Sequence, residues 1–319
     1  MTRYRNAVAL RQALESRLKR QADENGTDLG RLRRRVLFER ALARLSASQP
    51  GRWILKGGMA MEFRLLDRAR STKDLDMAIR SGQLDGDGLR DELIEALGSD
   101  PDGDNFVFQV APPTELKPDG EGRRAYRFGI QGRLAGKEFA LFRLDAVMRP
   151  EEIAQTDQLM LPGTLAFAEV PSRSVEAVHP RQHFAEKLHA LTRDYGDRPN
   201  TRVKDLVDLV LLIENGLVPD GELVDVCRHV FAVRASHALP EEIPDLPPRW
   251  DIDYPTQAQG LTIVPADLSS ALAFVRDFWE RTIAWTTDGE TSEKAPSESK
   301  GLLGGSFEVA SRTHRPSPR

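Results

Sequence analysis

The segment "KDLDMAIR" places Asp74 and Asp76 one residue apart. In a strand that spacing points both carboxylates to one face, roughly 6–7 Å apart along the chain. Neighbouring carboxylates repel unless a cation lies between them, and a divalent ion such as Mg2+ meets that need. Gly58, sixteen positions before Asp74, closes the run "RWILKGG" behind Lys56 and Gly57. A strand that stops at Gly-Gly and turns into a helix leaves backbone N–H groups free at the helix N-terminus. Anions are favoured there, and the missing side chains allow close approach. Mg2+ bound by aspartates also coordinates substrate phosphates, so the stretch reads as a site for a metal–triphosphate complex.

The elements that must hold these groups follow from periodicity. "RWILKGG" reads as a short buried strand, and "MAMEFRLLDRA" as a helix with Met59, Phe63 and Leu66 at i, i+4 and i+7. "KDLDMAIR" alternates, with Leu75, Met77 and Ile79 on one face and Asp74, Asp76 and Ala78 on the other. Two amphipathic helices precede them at 5–22 and 29–48, with Thr27 or Asp28 as the N-cap of the second. That second helix carries Leu32, Val36, Ala41 and Leu45 on one side and "RLRRR" on the other. After a short helix at 88–97, "NFVFQVA" and "AYRFGIQGRLAGKEFALFRLDAVM" read as strands, with a hairpin near "LAGKE". A linker-like passage follows "RPEEI". Helices are expected at 181–195, 202–215, 220–234 and 265–285, interrupted by the proline-rich "LPEEIPDLPPRWDIDYP". The polar, small-residue-rich end of the chain reads as disordered.

In the later helices, "RQHFAEKLHALTRDY" puts Lys187 on the stripe of Phe184, Leu188 and Leu191. Lysine is rarely buried without a partner. A bound triphosphate would explain it, as would snorkelling of the stem to the surface. "NTRVKDLVDLVLLIENG" sets Asp205 and Asp208 at i and i+3 in a nearly all-apolar helix, beside Arg202 and Lys204. Salt bridges to basic neighbours, or a role in the site, are the two readings. His183 and His189 flank Lys187 without metal-ligand spacing and read as surface residues or as supports behind the site. Cys227 lies in an apolar helix and reads as packing.

Strand, Gly-Gly, helix, loop and Asp-x-Asp strand, in that order, resemble the polymerase-β-like nucleotidyltransferase fold through Gly57, Gly58, Asp74 and Asp76. That superfamily usually places a small hydroxyl residue where this chain has Met59, which leaves Lys56 and backbone amides to contact the phosphates. It also uses a third carboxylate on a later strand. "FALFRLDAVM" offers Asp145, alternating with Phe139, Leu141, Arg143 and Val147, and partnered either by metal or by Arg143.

From "FERALARLS" through "ILKGGMAMEFRLLDRARSTKDLDMAI", "RLDAVM", "AEKLHAL" and "NTRVKDLVDLVLL", roughly residues 5–285, the chain resembles the AbiEii/AbiGii nucleotidyltransferase toxins of type IV toxin–antitoxin and abortive-infection systems. The resemblance implies that Gly57 and Gly58 cradle a triphosphate, and that Asp74, Asp76 and Asp145 hold Mg2+, with Mn2+ as an alternative. Lys187 contacts phosphates, and Asp205 with Asp208 completes the site. Arg202 and Lys204 reach toward nucleotide or acceptor, while Thr72 and Lys73 order the loop before the acids. The implied reaction moves NMP from an NTP to the 3′ end of tRNA. A small DNA-binding antitoxin is the implied partner. A nucleotidyltransferase acting on a small molecule or a protein hydroxyl is one rival, and a non-catalytic nucleotide-binding regulatory module is another.

The expected fold is α+β: a polymerase-β-like mixed sheet with flanking helices, followed by a helical C-terminal domain. We divide it as an N-terminal helical segment at 1–50, a nucleotidyltransferase domain at 51–165, a helical domain at 166–285 and a tail at 286–319. The 319 residues suffice for two domains. A single cysteine excludes an internal disulfide framework and fits a reducing cytoplasm. No apolar run has signal-peptide or membrane-spanning length. Residues 1–80 hold 19 Lys/Arg against 9 Asp/Glu in a chain of net charge −4, which suggests either a bound polyanion or solvated helix faces.

Overall fold

The computed structural model describes residue 4 and residues 6–80, 84–116, 124–148 and 150–292. An eight-stranded mixed sheet forms its centre. The strands are β1 (Trp53–Lys56), β2 (Asp74–Ile79), β3 (Phe106–Val110), β4 (Thr114–Glu115), β5 (Ala125–Leu134), β6 (Lys137–Val147), β7 (Thr156–Met160) and β8 (Ser174–Val178). They run in the order β3-β5-β6-β2-β1-β8-β7, with β4 on β5. β2 lies antiparallel to β1 and parallel to β6. The hairpin joining β5 to β6 turns at Ala135 and Gly136, both at positive φ, as a two-residue hairpin loop requires.

Three helices cover one face of the sheet: α1 (Ala7–Asn25), α2 (Leu29–Ser48) and α4 (Gly86–Gly98). Their apolar residues, with Leu75 and Met77 of β2 and Leu144 of β6, form one core. Gly132 admits α2, because a Cβ there would collide with Leu37. Asp28 caps α2, accepting from Arg31 N at 2.7 Å. α3 (Gly57–Leu65) runs directly from β1. A second core gathers the later helices α5 (Pro180–Thr192), α6 (Val203–Glu214), α7 (Gly221–Arg234), α8 (Trp250–Ala258) and α9 (Leu268–Ser292), and includes Met61 of α3 and a buried Cys227. Among the described residues no helix is long and apolar enough to cross a membrane.

Several expectations change. The linker-like passage supplies β7 and β8, and β8 pairs in parallel with β1 beside the glycine turn. α8 begins within the proline-rich interruption, with the fully buried Trp250. Leu66 does not continue the apolar stripe of α3; it is exposed, at φ 54. Phe139 leaves the face of Asp145 for the core, where it meets Phe106, because the β5–β6 register shifts there. α9 continues to Ser292, past the expected end at 285, and the rest of the expected disordered tail lies outside the described residues.

Arg17, Lys19 and Arg20 are exposed, but several N-terminal arginines are not on solvated faces. Arg40 and Arg44 are 1% and 0% exposed and pair with Asp100, Asp102 and Asp104, and Arg173 joins at Asp102. Arg31 pairs with the buried Glu62, Arg33 with Glu15 and Arg52 with Glu92. Much of the positive surplus of residues 1–80 is therefore neutralised inside the fold.

Candidate active site

The register of four strands sets one row of side chains across the sheet. Lys56 of β1 faces Asp76 of β2, Asp76 faces Asp145 of β6, and Asp145 faces Arg127 of β5. One step along, Asp74 faces Arg143. Two of the three carboxylates are gripped by arginine forks. Arg143 donates to Asp74 at 2.6 and 3.1 Å, and Arg127 donates to Asp145 at 2.7 and 2.6 Å. Asp145 therefore pairs with Arg127 across the strands, while Arg143 goes to Asp74.

The Asp76 carboxylate, between them, has no hydrogen bond or ion pair among the described residues. Burial and the Asp145 charge, reinforced by Asp74, push its carboxyl up to about 6, and the charges of Lys187 and Lys56 offset this only in part. Its side chain lies against Gly57, where φ is +62 and any Cβ would collide with the carboxylate. Glycine is thus required twice over, by conformation and by space. A Cβ at Gly58 would press tightly on Thr72, at 3.2 Å, and the Thr72 hydroxyl bonds the backbone of Asp74 at 3.2 and 3.4 Å and so orders the loop. Met59 is buried in the sheet core, so the residue after Gly58 does not face this site at all.

The helices bring up a second group. Lys187 donates to Asp205 at 2.6 Å and lies 3.0 Å from Asp208. Arg70 grips Asp208 through two bonds of 2.8 and 2.6 Å. Burial works against the Lys187 charge, but Asp208 and Asp205 outweigh it and hold the ammonium above the usual lysine range. Burial likewise opposes the Asp208 charge, yet Lys187 and Arg70 bring that carboxyl down to about 2. Lysine on the apolar stripe is therefore explained by salt bridges, without snorkelling.

A cavity of about 470 Å3 opens beside Gly57, and Lys187, Asp205 and Arg202 line it. Asp208 sits behind, 1% exposed. Lys204 and Lys73 are exposed, and Lys73 borders a different groove. Lys56 turns to Glu186 at 2.9 Å and Glu152 at 3.3 Å.

The cavity also uses residues that the sequence pattern did not single out. Tyr195 donates to Ala190 O at 2.9 Å and accepts from Arg202 Nε at 3.1 Å, with the Arg193 and Arg202 guanidiniums beside its ring. Ser236 bonds His189 at 2.9 Å. Expected at the surface or as supports, both histidines are buried and line the cavity. His183 is the extreme case. Neither ring nitrogen has a partner, and burial with the Lys187 charge drives its pKa down to about 3. Its place one turn before Lys187 on the same stripe was the available signal.

Among the described residues no three His, Cys, Asp or Glu side chains converge on one point. The chemistry of the carboxylate row still suits a hard cation: all donors are oxygens, and Asp76 is a half-buried carboxylate with no counter-charge in contact.

A mixed sheet that carries aspartates opposite a strand–Gly-Gly–helix turn, closed by a helical unit with a buried lysine, defines a nucleotidyltransferase. The family described as "Nucleotidyl transferase AbiEii toxin, Type IV TA system" matches residues 40–281, and the chain belongs to it. Membership implies a nucleotide substrate and an antitoxin partner. Among solved structures, the chain is similar to JHP933 from Helicobacter pylori, with 14% identity, coverage of 82% of this chain and 95% of that one, and TM-score 0.45. It is also similar to an antigenic nucleotidyltransferase-like protein from Paracoccidioides brasiliensis, with 19% identity, coverage of 62% and 87%, and TM-score 0.35. A third likeness is the Megavirus polyadenylate synthase, with 12% identity, coverage of 77% and 40%, and TM-score 0.29. No curated protein sequence matches the chain.

Proposed function

We propose that this toxin transfers NMP from an NTP to the 3′ end of tRNA in the cytoplasm, leaving the tRNA unusable for translation. The observation that carries the reading is the uncompensated Asp76 carboxylate, held between Asp74 and Asp145 and against the N-terminus of α3. In the reaction, a terminal hydroxyl oxygen attacks the α-phosphorus. The new O–P bond forms as the α–β phosphoanhydride bond breaks, and pyrophosphate leaves. The hydroxyl proton goes to a carboxylate of the row and on to water.

Asp74, Asp76 and Asp145 would hold Mg2+ or Mn2+. Such an ion supplies charge neutralisation on phosphate oxygens and a lowered hydroxyl pKa. The amides of Gly57 and Gly58 receive phosphate oxygens at the helix N-terminus. Lys187, kept cationic by Asp205 and Asp208, lies on the cavity side, where it stabilises the charge on the departing pyrophosphate. Arg70 and Asp208 position Lys187 and do not touch substrate. Arg202 and Tyr195 border the space left for ribose and base.

The test is incubation of purified protein with total tRNA, Mg2+ and each α-labelled NTP in turn, beside Asp76→Asn. Label on RNA from the wild type alone supports the reading. Label on a small molecule or on protein, with none on RNA, transfers the proposal to those acceptors. Label retained by Asp76→Asn removes the carboxylate row from the mechanism.

A further inference from the structure

The face of the sheet that carries the carboxylates is divided. Its β1 and β8 side is closed by the helical unit and holds the cavity. Its β6, β5 and β3 side has no helix packed on it among the described residues. The residues that point outward there are Leu141 and Arg143 of β6, Gly129 and Gln131 of β5, and Gln109 of β3, in one continuous cross-strand register. Leu141 is 54% exposed and Val107, further along β3, is 60% exposed.

A groove of about 690 Å3 runs over this surface. Three cations border it, Arg34, Lys73 and Arg143, and no carboxylate lines it. Its floor is largely apolar, and Gln109 and Gln131 are its neutral polar side chains. The groove begins at the catalytic row itself, because Arg143 both lines it and grips Asp74. Lys73 directly precedes Asp74 in the chain.

We propose that this groove receives the unpaired 3′ end of the RNA acceptor. The inference rests on the nucleotidyltransferase reading and adds the location of the second substrate. Transfer needs the nucleotide and the acceptor hydroxyl on two sides of the same carboxylates. The cavity with Gly57 and Lys187 takes one side, and this groove is the built surface on the other. Its chemistry matches a single strand better than a duplex. Phosphates meet the cationic rim, and base faces, which are flat and weakly polar, lie on the apolar floor. Gln109, and the side-chain carbonyl of Gln131, whose amide nitrogen donates to Glu138 at 2.6 Å, meet Watson–Crick edges, which are exposed only when the bases are unpaired.

The experiment measures anisotropy of the full chain with a fluorescein-labelled RNA hairpin that carries an unpaired 3′ tail, and with the same hairpin made blunt. Gln131→Glu and Leu141→Glu each place negative charge in the groove at an exposed or half-buried position, and thermal melting confirms that each folds. Each variant is expected to weaken binding of the tailed hairpin about tenfold and to raise the KM for RNA by a similar factor. NTP affinity, measured separately, stays within about twofold, and the blunt hairpin changes little. Wild-type affinity for the tailed RNA in both variants overturns the proposal, as does a parallel loss of NTP affinity, which would make the groove part of the nucleotide site. Label transfer by the wild type keeps the two readings apart. If it occurs while the variants match the wild type, only the groove assignment fails; if it is absent with every RNA, the proposed function itself fails.

Discussion

Two charge clusters on opposite faces of the sheet differ in how they close. On one side of the sheet, Arg40, Arg44 and Arg173 meet Asp100, Asp102 and Asp104, three charges against three. On the other, the row of Asp74, Asp76 and Asp145 has two arginine forks for three carboxylates, and Asp76 is left without a contact partner. A balanced cluster gives a fixed arrangement and no chemistry. An unbalanced one is unfavourable unless a ligand completes it, which is why imbalance, and not burial of charge as such, marks the site. Lys187 lies between these extremes: its ion pairs with Asp205 and Asp208 are complete, but it borders open space.

Substitutions can sharpen this contrast, and the largest effect is expected at Asp76. Asp76→Asn should lower kcat by about a thousandfold or more, since it removes a donor to the charge-neutralising ion. The same change should stabilise the metal-free protein. The folded state holds the Asp76 proton more tightly than the unfolded chain does, with a pKa of about 6 against 3.8. Stability of metal-free wild type should therefore fall as pH rises from about 4 to about 6, by at most roughly 2–3 kcal/mol, and stay level above. Denaturant melts across that range should show the fall in the wild type and not in the variant.

Lys187→Ala comes next. It should reduce kcat/KM by about a hundredfold to a thousandfold and also destabilise the fold, because Asp205 and Asp208 lose their shared cation. Arg40→Ala should break the comparison in the other direction. Leaving Asp102 and Asp104 short of a cation in the core should cost about 3–5 kcal/mol, while the folded fraction keeps its kcat. The smallest effect is expected at His183. His183→Phe removes two unpartnered ring nitrogens, so the melting temperature should hold or rise. NTP affinity should nevertheless drop about tenfold if those nitrogens meet the ligand, an expectation that calorimetric titration can check.

What was legible in the sequence was local. The Gly-Gly stop, the alternation of Asp74 and Asp76 with Leu75 and Met77, and the three-residue spacing of Asp205 and Asp208 are all written within a few residues. The structure brings Gly57, Lys187, Asp205 and Arg202 to one cavity and Asp74, Asp76 and Asp145 to one row. What was hidden depends on long-range pairing. No local pattern says that Arg127 takes Asp145 and Arg143 takes Asp74, since strand register decides it. Arginines at 31, 33, 40 and 44 looked like a charged surface because their acids lie far away in sequence or on another helix. β7 and β8 were unreadable for a different reason: five-residue strands between glycine- and proline-containing turns carry too little periodicity to stand out.

The central claim is that Asp76 is an unfinished charge site completed by a nucleotide and its metal. The direct measurement is the thermal shift of wild type and Asp76→Asn with Mg2+ alone, NTP alone and both together. A shift in the wild type that requires both components, and that disappears in Asp76→Asn, is the predicted result. An equal shift in the two proteins would contradict the claim.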